Sequence, residues 1–526
     1  MKKNNIFNGI IALLISQVVV KIFGLLYKLY LANKTGFGDW GNAIYNSGYQ
    51  IYALLLTISS IGVPNAVSKM IAESKKNSKD VAEVFKGSLV VFSVIGIFSS
   101  LLLVIFAGYI SENLLNIPES KKSIIALAPA IFNVCIISVY RGYFNGINKI
   151  DITAKSQTVE QILKTIFTFT LVEIAYIVTS SNTIMMAAFA NFATTLATLG
   201  SFIYLYKKSG LKNIKVKFKL RKNIKILYIS IPISLSSILA SLNRNIDSVT
   251  IVRFLKNFIG ENSAKIQYGI LSGKIDVVSA VPVSFIIAIA TTIIPIIAEL
   301  KFERKYTDIN RLVKTYLIYT ILIVLPCSFC MVSFSDQILE FLFGSNSGSM
   351  LLKISAISMI FISLEQIVNA VLQGIGKVFI PAIALGLGVC AKVFLNVKLL
   401  NISPDQYWYG GIVGCCIATL FCHIIAFFIS FSVMRKKLKI NFEIFKFVLK
   451  PVIASCIMAM CLYYTYFLLK GIIIEKIAII LAGIIAIITY IIMFFLLKIL
   501  SKDELSSIPI FNCTNLFEKN KKYKKK

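Results

Sequence analysis

The chain has 526 residues, of which 57% are hydrophobic and only 15% charged, and its mean hydropathy is +0.80. A soluble protein of this length carries about a quarter charged residues, so the composition excludes a soluble enzyme and indicates a polytopic membrane protein. The formal net charge of +31 then reads as the Lys and Arg excess of cytoplasmic loops, and not as a nucleic-acid-binding surface.

A span needs about 20 apolar residues. Fourteen are predicted, near 6–32, 43–72, 84–109, 123–144, 156–177, 184–206, 226–252, 275–298, 313–334, 351–372, 380–399, 410–434, 447–469 and 477–497. The first follows Lys2 and Lys3, is too long for a signal peptide and precedes no small-residue cleavage site, so it is read as uncleaved. With the N-terminus inside, the connections assigned to the cytoplasm hold about four times as many Lys and Arg as the external loops. Both termini are therefore expected in the cytoplasm, in a multi-pass protein of the cell membrane.

In helix one, Gln17, Lys21, Gly24 and Lys28 recur at spacings of four, three and four, which sets them on one stripe. An ionised residue at the bilayer centre costs about 2.5–3.5 kcal/mol on insertion scales, so it faces a partner or a wet cavity. Lys28, near the outer end, can instead snorkel; Lys21, near the middle, suits a cavity better. In helix two, Tyr45, Tyr49 and Tyr52 form either an aromatic belt at the interface or a stack for sugar rings. Gly62 and Pro64, within "SSIGVPNAVSK", break or bend the same helix. Arg141 lies about one turn from the end of helix four and either snorkels or meets substrate. In helix five, Glu160 precedes Lys164 by four residues, the favourable order for an internal ion pair.

After helix six comes "KKSGLKNIKVKFKLRKNIK", without an acid: a linker, a surface helix on anionic lipid heads, or both. In helix seven, Arg244 and Asp247 pair with each other or, with Asn243 and Asn245, line a hydrated surface. Lys274 and Asp276 open helix eight as interface anchors or cavity residues. Cys327 and Cys330 form a CxxC, but no soluble thioredoxin-like context surrounds them, and they read as packing residues. His423, the single histidine, makes no metal site and reads as packing too. No cofactor is expected; the membrane potential or a coupling ion would supply the energy.

An internal repeat is visible at a shift of 228 residues. "DVAEVFK" at Asp80 meets "DINRLVK" at Asp308, "NGINK" at Asn145 meets "QGIGK" at Gln373, and Lys164 meets Lys392; a slightly smaller shift aligns "IAES" at Ile71 with "IAEL" at Ile297. Each copy holds six spans, so the copies enter the membrane from the same side. The expected division is a first lobe over 1–206, a basic linker over 207–225, a second lobe over 226–434, two extra helices with their preceding loop over 435–500, and a basic tail over 501–526. Transporters built from such repeats bind substrate near the midplane between lobes. Lys21, Lys28, Arg244 and Lys274 outnumber Asp247 and Asp276 on the first helices of the lobes. Such a cavity suits an anion, phosphate above all, and the apolar surroundings suit a lipid tail.

Three stretches carry a family likeness: "NSGYQIYALLLTISSIGVPNAVSKMIAE" at 46–73, "YRGYFNGINKIDITAKSQTVEQILK" at 140–164, and "IIPIIAE" at the end of helix eight. They resemble the stage V sporulation protein B group of polysaccharide biosynthesis proteins, in the multidrug/oligosaccharidyl-lipid/polysaccharide exporter superfamily that also holds the lipid II flippases. The resemblance implies an all-α integral membrane fold with two parallel six-helix lobes in a V, plus two C-terminal helices that form a groove for a prenyl tail. It implies a flippase for an undecaprenyl-diphosphate-linked saccharide or peptidoglycan precursor, with cell-wall synthases as partners alongside membrane lipids. By helix and side, Lys21, Lys28 and Lys274 stand where family members place basic cavity residues. The competing readings are a cation or drug antiporter, for which Glu173 and Glu365 are the candidate acids, a membrane glycosyltransferase or polymerase, and a purely structural sporulation protein.

Overall fold

A lipid environment leaves backbone polar groups only helices or closed barrels in which to bond. The computed structural model describes residues 2–57, 62–73, 78–209, 220–438, 448–497 and 499, and among these regular structure is helical throughout, with no strand. The chain is a multi-pass membrane protein. Its helices are α1 (Lys2–Asn33), α2 (Gly38–Thr57), α3 (Val63–Glu73), α4 (Ser78–Tyr109), α5 (Lys121–Gly146), α6 (Ile150–Val178) and α7 (Thr183–Ser209). There follow α8 (Leu220–Ile259), α9 (Glu261–Ile270), α10 (Asp276–Phe302), α11 (Tyr306–Ser333), α12 (Ser335–Phe343), α13 (Ser349–Gly374), α14 (Phe379–Leu400), α15 (Gly411–Leu438), α16 (Lys450–Lys470) and α17 (Glu475–Leu496). Eleven helical runs among the described residues are long and apolar enough to span a membrane. α1, the pair α2 and α3, and α8 lie where the other three spans are expected.

Helices α1 to α7 pack chiefly on one another, and α8 to α15 form a second group. α16 and α17 pair with each other and lean on α11, where Tyr490 donates to the Leu322 carbonyl at 2.9 Å and Phe334 meets Tyr466 edge-on. The break or bend predicted at Gly62 and Pro64 adjoins residues outside the described set. Pro64 sits near the start of α3, and residues 58–61 are the ones that fall outside. The centre of the predicted linker (210–219) and the tail from 500 onward lie outside it as well.

The repeat read from sequence reappears as repeated geometry. α5 ends with Lys149 N–H bonding the Phe144 carbonyl at 2.8 Å and Asn148 in the left-handed region at φ 62°; α13 ends with Lys377 N–H on Leu372 at 2.8 Å and Gly376 at φ 79°. These are helix C-caps of one design, 228 residues apart. Just before each cap a glycine admits a neighbouring helix. A Cβ on Gly146 would lie 2.8 Å from Ile71, and one on Gly374 would lie 2.8 Å from Ile297. Small residues at such crossings are what let helix backbones approach in a membrane.

Candidate functional site

The two groups of helices meet around a cavity of about 370 Å³ between α1 and α10, backed by α2 and α6. Lys21, Gly24, Tyr27 and Lys28 line it from α1, Tyr49 from α2, Gln161 from α6, and Val277, Val281, Ser284 and Phe285 from α10. The spacing of the α1 residues gives them one face, and the helix turns that face inward. Lys21 is solvent-exposed and Lys28 half-exposed inside this recess, and neither makes an ion pair or hydrogen bond among the described residues. Arg244, on α8, is likewise exposed and unpaired, and its charge acts on both lysines. The opposing acid is Asp276, at the start of α10, within electrostatic reach of Lys28 and Arg244. Lys21, Lys28 and Arg244 thus carry three unpaired charges within electrostatic reach of one another. Gln17 lies on α1, with its side chain outside the described set.

Behind the wall stands a fourth cation. Lys164 is only 5% exposed. Its ammonium lies 4.2 Å from the ring centre of Tyr49 and 4.8 Å from that of Tyr27, a cation–π arrangement worth about 0.5–2 kcal/mol. The expected Glu160–Lys164 pair does not form. Glu160 bonds Arg141 at 2.7 Å, and Arg141 also donates to Ser156 at 3.0 Å. The i,i+4 rule lost to a partner from a neighbouring helix. Arg141 is consequently neither snorkelling nor free for substrate. Tyr45 and Tyr52 do not form a lipid-facing belt either. Both are 1% exposed, and Tyr45 stacks on Tyr49 at 5.7 Å.

Lys274 is the largest departure from expectation. It is buried, 2.9 Å from the Asp39 carboxylate and 3.0 and 3.3 Å from the Ser345 and Ser347 hydroxyls. It therefore belongs to a seal at one end of the molecule, not to the open cavity. Lys265 bridges to Glu119 at 2.9 Å at the same junction, and Lys256 donates to Asn116 at 3.2 Å. The backbones interlock there as well, since a Cβ on Gly269 would overlap the Asp39 carbonyl and one on Gly273 would fall 2.6 Å from Asn42. Apart from the Ser345 and Ser347 bonds, each of these contacts joins the first helix group to the second.

The model for the polysaccharide biosynthesis protein family matches residues 6–301, more than half of the chain. The chain belongs to that family. The MatE model matches residues 274–397. Among curated relatives, the Bacillus subtilis lipid II flippase MurJ is 24% identical, the alignment covering 84% of each chain. Stage V sporulation protein B of the same organism is 23% identical over 97% of this chain and 99% of its own. Among solved structures, lipid II flippase MurJ in an inward closed conformation superposes with a TM-score of 0.73 at 16% identity, covering 93% of this chain and 99% of that one. An inward-facing multidrug resistance MATE family transporter of the MOP superfamily gives 0.63 at 15% identity, covering 81% and 98%. These likenesses establish the fold.

In this polysaccharide biosynthesis protein the second helix group has its own buried charges. Asp247 does not pair with Arg244. Lys392, 1% exposed, bonds the Asp247 carboxylate at 2.6 Å, and Asn396 and the Cys415 thiol add contacts at 3.1 and 3.0 Å. Lys392 is the repeat counterpart of Lys164, and the two lysines have opposite fates: one neutralised, one left over aromatic rings. His423 is no bystander. Its Nδ1 lies 2.7 Å from the buried Glu365 carboxylate. The other candidate acid, Glu173, is held by Lys34 at 2.6 Å and by the Tyr30 hydroxyl at 2.6 Å. Sequence separations of 58 to 168 residues hid these pairs, because no local spacing encodes them.

Proposed function

We propose that this protein is a flippase that carries an undecaprenyl-diphosphate-linked saccharide or peptidoglycan precursor from the inner to the outer leaflet by alternating access. The observation that carries the reading is the pair of unpaired cations Lys21 and Lys28 lining one cavity between the helix groups, with the unpaired Arg244 within electrostatic reach of both. A diphosphate would collect charge-assisted hydrogen bonds from all three. Tyr27, Tyr49 and Gln161 offer rings and an amide to a sugar, and the apolar α10 face offers contact to the lipid. The relative named as a lipid II flippase supports the same substrate class.

The positive-inside pattern orients the protein with both termini in the cytoplasm of a cell-membrane protein. The Asp39–Lys274 end then faces outward, and the described state is sealed on that side. An anionic headgroup moving outward gains about 2.3 kcal/mol per charge per 100 mV, so the membrane potential favours export. α16 and α17, outside the repeat, would hold the prenyl tail, and cell-wall synthases would take up the product. The drug-antiporter reading is weaker. A cationic substrate would meet three free cations, while Glu173 and Glu365 are already engaged.

The test is flipping of a fluorescent lipid-linked diphosphate saccharide by full-length protein in proteoliposomes. Lys21→Ala should lose at least tenfold in rate at unchanged expression and reconstitution. Full activity in that variant would overturn the role of the cavity.

A further inference from the structure

His423 occupies an unusual position for a single histidine. Its ring nitrogens both have partners: Nδ1 lies 2.7 Å from Glu365 and Nε2 lies 3.1 Å from the Asn243 side-chain Nδ2. Glu365 is 2% exposed and also accepts from Asn369 at 3.2 Å. In one arrangement the ring carries a single proton, on Nδ1. Nδ1–H donates to the carboxylate and Nε2 accepts from the amide. The amide pays for that arrangement, because Asn243 Oδ1 is buried with no donor.

A second arrangement is available in the same space. If the ring takes up one proton, both nitrogens donate, and Nε2–H can no longer face an N–H. Rotating the Asn243 amide by about 180° presents Oδ1 to Nε2–H and frees Nδ2 instead. Each arrangement satisfies one end of the amide and strands the other. Two alternative half-satisfied states of one buried network are the kind of element a switch requires.

The amide stands at a junction. The Asn243 backbone carbonyl accepts from Lys392 at 2.8 Å, and Lys392 holds Asp247 at 2.6 Å, one turn along α8. Arg244, the next residue on α8, is the unpaired guanidinium within electrostatic reach of the cavity lysines. Every helix packed on α15 at this level contributes a charge or titratable group: Glu365 from α13, Lys392 from α14, and Arg244 and Asp247 from α8, while Cys415, Cys416 and Cys422 sit on α15 itself.

We propose that Glu365, His423 and Asn243 form a proton-binding site whose occupancy is transmitted along α8 to Arg244, so that proton uptake resets the anion cavity. One proton enters from water, the Glu365–His423 pair passes from net −1 to net zero, and nothing is released. This coupling rests on the flippase reading; the proton site does not.

The experiment uses full-length protein labelled with 15N-histidine in nanodiscs, where one imidazole gives one set of ring signals. At pH 8 the signals should report a proton on Nδ1 alone, and at pH 5 on both nitrogens, the window in which histidine charge ordinarily changes. A ring that keeps one protonation state throughout overturns the site. In proteoliposomes the wild-type flipping rate should change at least threefold between pH 5.5 and 7.5. His423→Gln and, as a milder variant that keeps the ring, Asn243→Ala should both flip with a flat profile. A wild-type profile in Asn243→Ala, with the ring still titrating, overturns the transmission through α8. If wild-type protein flips no lipid-linked diphosphate at any pH, the functional reading fails and the coupling with it, and the ring signals alone decide the proton site.

Discussion

Neutralising Asp39 should unlock one end of the molecule. In the sealed state Lys274 is 5% exposed at its side chain and depends on that carboxylate for its counter-charge. Breaking a buried pair by removing one partner costs about 3–5 kcal/mol. Lys274 keeps the Ser345 and Ser347 hydroxyls and the Phe343 ring at 5.9 Å, so the lower value, about 3 kcal/mol, applies to Asp39→Asn. That penalty falls only on the state in which α2 meets the segment before α10. At about 1.4 kcal/mol per tenfold, the balance should move toward the unsealed state by roughly two orders of magnitude. Trp40 adjoins Asp39 and packs under the Lys265 ammonium at 5.2 Å, which makes it a local reporter. With Trp408 changed to Phe, Trp40 is the remaining tryptophan. Its emission should shift to the red in Asp39→Asn, and its quenching by aqueous iodide should rise severalfold. Asp39→Asn with Lys274→Met removes both charges and should return most of the sealed signal. Equal quenching in wild type and Asp39→Asn would refute the reasoning, as would a double variant no better sealed than the single.

Lys392→Met should lower thermal stability strongly, by about 3–5 kcal/mol in a denaturation assay, because it strands Asp247; adding Asp247→Asn should recover much of the loss. Lys164→Met should be far milder, since it forfeits cation–π contacts of about 0.5–2 kcal/mol and leaves no unpaired acid, whereas Arg141→Met strands Glu160 and should cost more in the same assay. Gly146→Val and Gly374→Val should each reduce the melting temperature through overpacking worth about 1–3 kcal/mol, with similar penalties because the two crossings share one geometry.

Hydropathy alone revealed the helical membrane fold, since spans are long and the signal accumulates over about 20 residues. The repeat was legible because cap and crossing residues are geometric necessities: the left-handed position after α5 and α13 took Asn148 and Gly376, and the crossing took Gly146 and Gly374. The stripe of Lys21 and Lys28 was legible because both lie on one helix. Partners across helices were not. Glu160 had a lysine at the favourable local spacing and still chose Arg141. Asp247 passed over Arg244 for Lys392. Lys274 looked like any other basic residue at a span entrance, and only the fold brings Asp39 to it. A lone histidine carries no spacing at all, so its bond to Glu365 had no trace in the chain order.

The matching caps at the ends of α5 and α13 belong to a duplication whose copies share one orientation across the bilayer. A rotation axis of that kind exchanges left for right but never top for bottom. The inner and outer gates are therefore not images of one another, and no swap of conformations between the copies converts one gate into the other. Each gate must be tuned by residues of its own. Selection can tighten the closure made by Asp39, Glu119, Lys265 and Lys274 while leaving the opposite face untouched, which gives the molecule an independent adjustment for each half of its cycle.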